Sequence, residues 1–495
     1  MARRLKNLLV VPIALMIACS GVGRASHTST GADGIDSSQQ RAAGGENDDT
    51  TTARLNALQE ARSAGTFGAA ATQLSSPFAT PGWTGEQLMN RKTDDWEPAV
   101  ATDPNAPYIY ILTTRYGQPK TCSSHCPTPY LALMISSDNG ATWGPQVPLW
   151  GAKGSKAQYD PTIEVSPASG VVNALFLNAD RAGGYSAVFT RSTDHGANWT
   201  DPVHVYKKSW TDKPEVTTSP SGKDVYVSWN GQTGGDLWVA ASHDHGVTWT
   251  QTRVVSSKRY FYAYDAKVLP DGTVIFAESS LLYTGHVSHG GAVSGTVWHH
   301  AIISLDKGAT WYNVVVDKVP VGEACVAAGC SPDFYLGQAS VASDAHNKLV
   351  FAYEGPATNG APQRIFVRTS TDDGFRWSGR TALSVAGEDA TGPRVAATGR
   401  GDMRIWYMQT SGNDNADAWN VWYRSSTDGG ASWSAPERLS DAPAGAAGYV
   451  HAKGFDEIYG DYGEIGITSR GKTVAVWGEG LSYDGPGGTW YDIQT

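Results

Sequence analysis

The sequence predicts an all-β chain: a seven-bladed β-propeller of four-stranded antiparallel blades, closed by an N-terminal strand. Three observations lead there. Only 17% of the 495 residues are charged, while Gly, Trp and Tyr number 56, 18 and 22, the composition of a turn-rich β-protein with a large core. One turn signature, Ser-x-Asp-x-Gly-x-x-Trp, recurs six times, and a strand-start pattern recurs seven times. Between them the order is constant: a first strand, a short hairpin, an apolar strand, a loop of variable length, a third strand, the turn, and a fourth strand opened by Trp. Four antiparallel strands per repeat is the content of a propeller blade.

The six turns are Ser136-x-Asp138-x-Gly140-x-Thr142-Trp143, Ser192-x-Asp194-x-Gly196-x-Asn198-Trp199, Ser242-x-Asp244-x-Gly246-x-Thr248-Trp249, Ser304-x-Asp306-x-Gly308-x-Thr310-Trp311, Ser370-x-Asp372-x-Gly374-x-Arg376-Trp377 and Ser426-x-Asp428-x-Gly430-x-Ser432-Trp433. In each, the Asp carboxylate is placed to accept backbone N–H bonds and the Gly to supply a positive φ. The Trp brings a large apolar surface to neighbouring structure. Regular recurrence marks repeated supersecondary units rather than six separate sites.

This pattern resembles the Asp-box repeat of the sialidase-like β-propeller superfamily, over the stretch from Trp83 to the C-terminus. The resemblance implies that the turns are structural and lie on the face opposite the active site. It also implies a sugar-directed activity. Sialidases of the superfamily usually have six blades; the seven strand starts here depart from that.

Those starts are Trp96-Glu97-Pro98, Asp160-Pro161, Lys213-Pro214, Tyr264-Asp265, Gly337-Gln338, Gly392-Pro393-Arg394 and Asp461-Tyr462-Gly463-Glu464. The last blade lacks a turn and a fourth strand, because Trp490-Tyr491-Asp492 aligns with the third strand Val421-Trp422-Tyr423. The missing piece is expected at the other end: Trp83-Thr84-Gly85-Glu86-Gln87-Leu88 repeats the Trp-to-Leu form of Trp433 to Leu439. Pairing it with the last blade closes the ring and hides two open edges.

The N-terminus begins Met1-Ala2-Arg3-Arg4-Leu5-Lys6 and continues with an apolar run to Ala18, a secretory signal too short to span a membrane. Met16-Ile17-Ala18-Cys19 resembles a bacterial lipobox, which implies a signal peptide over residues 1–19, lipidation of Cys19 and a cell-surface or secreted protein. Residues 20–80, rich in Ser, Thr, Gly and Ala, are expected to be a disordered tether with a short helix near residues 53–64. The propeller occupies residues 81–495. In an oxidising compartment Cys122 and Cys126, and Cys325 and Cys330, are expected to form two loop-stapling disulfides, with zinc the competing reading. A net charge of −10 without a basic stripe argues against nucleic acid. No cofactor is expected, and the protein is read as a monomer.

The first-strand starts and the long loops belong to the face away from the turns, and long loops on a rigid scaffold are where sites are built. That face gathers Asp95, Glu97, Tyr159, Asp160, Asp212, Glu215, Tyr264, Asp265, Arg394, Asp461, Tyr462 and Glu464. Second-strand ends add Arg115, Arg181, Glu278, Glu354 and Glu479, and loops add Trp210, Arg259, Tyr260, Tyr262, His286, His289 and His451. Carboxylates, guanidinium groups and aromatic rings around one funnel suit a sugar. Asp residues before Pro also cap turns, so Asp160 and Asp212 have a structural reading. The Tyr260-to-Tyr264 run can equally be inter-blade packing. His286, His289, His299 and His300 show no ligand spacing for a metal, and the loop with Asp414 and Asp417 is a weak calcium pattern, so no metal is assigned.

The family's Arg-Ile-Pro motif is absent, since the first blade starts Asp95-Trp96-Glu97-Pro98, and no arginine triad can be matched. The leading expectation is an exported sialidase-like glycoside hydrolase acting on a carbohydrate of unassigned identity. Its acid/base candidates are Asp265 and Asp461, its nucleophile candidates Tyr264 and Tyr462, supported by Glu278 or Glu479. Arg115, Arg394, Glu97, Asp160, Tyr262 and Trp210 are the candidate substrate contacts. A non-catalytic cell-surface propeller binding glycan or protein, and a polysaccharide lyase, are the alternatives.

Overall fold

The computed structural model describes residues 79–495 except 118, 123, 152–154, 182–183, 207–211, 231–235, 285–291, 294, 323–336, 411–418, 442–462 and 481–486, together with Gly23–Ala25, Gln59 and Ser63. Cys19, Trp210, His286, His289, Cys325, Cys330, Asp414, Asp417, His451, Asp461 and Tyr462 lie outside the described residues. Of the helix expected near residues 53–64, Gln59 and Ser63 are described; both are helical, and Ser63 Oγ donates to the Gln59 carbonyl at 2.8 Å.

Seven antiparallel blades form the structure, and their first strands are Asp94–Thr102, Ser155–Val165, Asp212–Thr218, Tyr260–Val268, Ala339–Ser343, Ala390–Thr398 and Gly463–Ile467. Each first strand packs against the next, and the seventh packs against the first, so they enclose an axis. The second strands alongside are nearly all buried, as in Ile109–Tyr116 and Leu349–Pro356. Apolar clusters fill the wedges between blades; one joins Trp406, Trp419, Trp477 and Trp490 of the sixth and seventh blades.

Closure occurs as the sequence predicts. Gln87–Leu88 is the fourth strand of the seventh blade, pairing Gln87 with Tyr491 and Leu88 with Trp490, and Trp83 bridges to Gln494. Fourth strands are shorter than expected, with two residues in five blades, and Trp itself enters the strand only in blade 4, Trp311–Pro320. There the long outer edge is partly covered by a further short strand, Gly23–Ala25.

All six turns share one hydrogen-bond pattern. The Ser hydroxyl donates to the Asp carboxylate, the Gly N–H donates to the Ser hydroxyl at 2.7–3.1 Å, and the N–H four residues after the Asp donates to its Oδ1 at 2.8–2.9 Å. The Gly is required twice over. Gly246 has φ +80°, and a Cβ there would lie 2.1 Å from the Phe189 ring, on the third strand of the preceding blade. Gly140 would likewise meet Ile493 at 2.1 Å, across the closing seam. The turns therefore hold adjacent blades together as well as reversing the chain.

Five first strands carry a bulge near their start, at Trp96/Ala99, Tyr159/Thr162, Asp212/Glu215, Ala263/Asp265 and Thr391/Arg394. Four of these contain the Pro seen in the sequence, which lacks the N–H that a ladder needs. Glu97 and Asp160, each before a Pro, are held at φ 54° and 49°, a left-handed conformation that costs a non-glycine residue about 1 kcal/mol or more.

Candidate functional site

Where blades meet near the axis, carboxylates accept from backbone N–H groups, several of them on the neighbouring blade and two of them at first-strand bulges. Glu97 accepts from the Asp160 N–H at 2.9 Å, and Glu164 from the Thr218 N–H at 2.9 Å. Asp265 Oδ2 accepts from the Val341 N–H at 2.9 Å and the Ser340 hydroxyl at 2.5 Å. Glu354 accepts from the Gly337 N–H at 2.9 Å and the Gly392 N–H at 3.1 Å, and Asp94 from the Gly487 N–H at 2.9 Å. A buried unpaired N–H costs about 1–3 kcal/mol, so each of these carboxylates stabilises a seam.

Deeper along the axis Glu164, Glu215, Asp265 and Glu464 line a cavity of about 770 Å³, with Lys267 and Asp344 as its other ionisable lining. Lys267 Nζ lies 3.4 Å from Glu164 Oε1 across the axis. The cavity reaches the first hairpins at Pro104, Pro167, Pro220 and Pro270, so its described part extends toward the face that carries the turns. That is the opposite direction from the one the sequence led us to expect.

The carboxylates perturb one another. Burial raises Glu215 well above the usual range, and Asp265 and Glu464 push it further while Arg394 offsets part of the rise. Glu464 is raised by burial and then by Asp265, again offset by Arg394. Asp265 is raised by burial, against its hydrogen bonds from Ser340 and Val341 and the charge of Arg394. Three carboxylates near one guanidinium cannot all ionise cheaply, so the set retains protons at neutral pH. Such a set can present a carboxylic acid beside a carboxylate, the requirement for general acid and base work.

Arg394 is 1% exposed, with Nε donating to the Gly463 carbonyl at 2.5 Å, Nη1 to the Pro393 carbonyl at 2.9 Å and Nη2 to Gln338 at 3.2 Å. It ties blades 5, 6 and 7 together while moderating the acidic cluster. Glu278 is fully buried in blade 4, pushed up to about 8 by burial; Oε1 accepts from Ser228 at 2.8 Å, and Oε2 has no hydrogen-bond partner among the described residues. Glu479, also pushed to about 8 by burial, accepts from Trp477 Nε1 at 3.3 Å near Glu86 and Asp441, in a separate group at the closing blade.

Other predicted residues fall elsewhere. Tyr260, Tyr262 and Tyr264 form a buried ladder with ring centroids 4.7 and 6.1 Å apart, the packing role their pattern allowed. Arg115 lies toward the outside of blade 1, bound bidentately to Asp95 at 2.7 and 2.6 Å. Arg259 stacks over Trp298 at 4.5 Å, and Arg181 donates to the Cys126 carbonyl at 3.2 Å. Cys122 and Cys126 form a disulfide with Cα atoms 5.8 Å apart. His300 sits between Ser280 and Asn313, and His299 contacts the Glu354 carbonyl at 3.0 Å. Among the described residues no three His, Cys, Asp or Glu side chains converge as metal ligands. Sequence reasoning missed Glu164 and Lys267; the signal was alternation, since Lys267 follows Asp265 by two residues and shares its side of the strand.

No family model matches the chain, and no curated protein matches it. Solved structures do match in fold. A protein of unknown function from Dyadobacter fermentans is 13% identical with a TM-score of 0.46, covering 83% of this chain and 99% of that one. A polysaccharide lyase, an ulvan lyase bound to -[GlcA(1-4)Rha3S]-, is 10% identical with a TM-score of 0.48, covering 83% and 95%. A point mutant of the NanB sialidase from Streptococcus pneumoniae is 12% identical with a TM-score of 0.42, covering 85% and 71%.

Proposed function

We propose that the protein is an exported, carbohydrate-active propeller, a sialidase-like glycoside hydrolase whose acid and base groups come from the axial carboxylates. The observation that carries this reading is that Glu215, Asp265 and Glu464, from three different blades, line one axial cavity, where burial raises their proton affinities. Asp265 and Glu464 are the acid/base pair in this reading, with Arg394 setting how many protons the group holds. The repeated turns add the resemblance to a sugar-directed superfamily. The test is a panel of aryl glycosides and polysaccharides assayed with wild type, Asp265→Asn and Glu464→Gln. Loss of a general acid or base lowers the rate by about 10²–10⁴-fold; rates within tenfold of wild type in both variants would remove the pair.

A second reading has its own observation. Asp265 Oδ2 and the carboxylates of Glu97 and Glu354 are already engaged by backbone or hydroxyl donors of the next blade, which favours a non-catalytic glycan-binding propeller. Retention of a glycan without product release distinguishes it. A lyase would show itself in the same panel by the absorbance of unsaturated ends.

A further inference from the structure

The closing segment carries an acid into its own seam. Glu86 immediately precedes Gln87–Leu88, the fourth strand of blade 7, and is 7% exposed. Both of its carboxyl oxygens are buried without a hydrogen-bond partner among the described residues. It faces Asp441, just beyond the fourth strand Glu437–Arg438 of blade 6, and Glu479 of the second strand of blade 7. Asp441 approaches closely but completes no bond of ordinary geometry, and its own Oδ1 is likewise buried and unpartnered. Burial first, then Asp441 and Glu479, push Glu86 up to about 11.

Blade 5 treats the same position differently. The residue before its fourth strand, Thr381–Ala382, is Arg380, whose Nε lies 3.3 Å from Asp317 Oδ2 on the outer strand of blade 4. The closing blade sets an acid against an acid where blade 5 sets a cation against one. Facing carboxyl groups out of contact with water cannot all ionise cheaply, so the closed seam holds a proton. The bonds on either side of Glu86 are those that seat the segment. Thr84 donates from its N–H to the Ile493 carbonyl at 2.9 Å and from its hydroxyl to Asp492 Oδ1 at 2.7 Å. Met89 donates to the Thr489 carbonyl at 2.9 Å, and Trp83 Nε1 to Glu437 at 2.9 Å. Asp492, pushed up to about 6 by burial, brings a further acid and no counter-charge.

We propose that ring closure is operated by a proton: the segment from Trp83 to Met89 stays seated while Glu86 is a neutral acid against Asp441 and Glu479, and lifts from blade 7 in alkaline solution, when that proton leaves. Lifting returns Glu86 to water, where it ionises in the ordinary carboxylate range. Its contribution to closure is therefore complete below about pH 4.5 and is lost progressively as pH rises toward the folded value. Between those limits opening releases one proton, and the open population rises about tenfold per pH unit. The device is independent of any glycan chemistry at the axis.

The test is hydrogen exchange on the full-length protein, followed by mass spectrometry at about pH 6.5, 7.5 and 8.5, with each rate divided by the intrinsic rate at that pH. Protection of the peptide carrying the Thr84 and Met89 amides is expected to fall about tenfold per pH unit in wild type, while that of Val172–Asp180, the second strand of blade 2, stays level. Glu86→Gln keeps the shape and removes the ionisable group, and protection of the closing segment should then be flat over the same range. Asp441→Asn, at a half-buried position, removes one facing charge and should raise protection at about pH 8.5, which keeps the idea testable if the first variant fails to fold. A level profile in wild type, an equal slope in Glu86→Gln, no gain in Asp441→Asn or an equal fall in blade 2 overturns the proposal. Recovery of protection at about pH 8.5 on adding millimolar CaCl2 also overturns it, because the carboxyl groups would then be a cation site.

Discussion

Replacing Trp83 by Ala isolates the contribution of ring closure. The indole is 5% exposed, packs edge-on against Tyr423 with centroids 4.9 Å apart, and donates from Nε1 to Glu437 Oε2 at 2.9 Å. Its cluster includes Trp406, Trp419, Trp477 and Trp490, a rigid aromatic wall with little freedom to collapse into a void. Truncating a buried Trp costs about 3–5 kcal/mol, and a poorly collapsing site belongs in the upper half of that range. The lost bond to Glu437 adds about 1 kcal/mol, kept low because the acceptor is partly hydrated. A loss of about 5 kcal/mol is therefore expected from urea titration followed by far-ultraviolet circular dichroism. Trp83→Phe, which keeps the ring contact but not the donor, should lose about 1–2 kcal/mol. A loss below about 1 kcal/mol in Trp83→Ala would show that the closing segment is an ornament on an already stable ring.

Glu278→Gln should stabilise the fold at pH 8. Burial raises the folded-state pKa of Glu278 to about 8, so the folded state holds a proton that the unfolded state has lost, and stability falls as pH rises from the ordinary carboxylate range toward 8. Glutamine keeps the acceptor for Ser228 without that penalty; denaturation midpoints at pH 5 and pH 8 should converge in the variant, and an unchanged gap contradicts the assignment. Acid acts through His299 and His300, whose pKa values burial depresses to about 3 and about 4. The unfolded chain takes up these protons first, so stability declines as pH falls below about 6.5, by about 1.4 kcal/mol per unit for each His. His299→Gln should make that slope visibly shallower between pH 6 and pH 4, and an identical slope would assign the acid sensitivity elsewhere. Asp194, lowered to about 2 by its bonds from Asn198 and Ser192, contributes stability that is present above about 4 and disappears as pH falls toward 2. Asp194→Asn should flatten the most acidic part of the curve alone.

The blade count and the closing strand were legible because they are repeats of local patterns. Trp83 to Leu88 copies the spacing of Trp433 to Leu439, and each turn is complete within eight residues. The X-Pro strand starts also announced themselves, although as bulges rather than as turn caps. What one chain position does for another blade was not legible. Glu97 reads as a funnel residue, yet its carboxylate serves the Asp160 N–H of the next blade. Arg115 reads as a substrate anchor but is paired with Asp95 toward the outside of blade 1. Such contacts depend on how adjacent sheets tilt and where a bulge rotates a side chain, and neither leaves a periodic trace. The convergence of Glu215, Asp265 and Glu464 comes from three blades separated by long stretches of chain, so only the assembled ring brings their charges into conflict.

The pairing of Gln87–Leu88 with Trp490 and Tyr491 sets an order on biosynthesis. The latch leaves the ribosome before its catch, so the nascent chain carries an unattached apolar hook, Trp83, while the blades between them are made. Any halt within the final blade strands a horseshoe instead of a wheel.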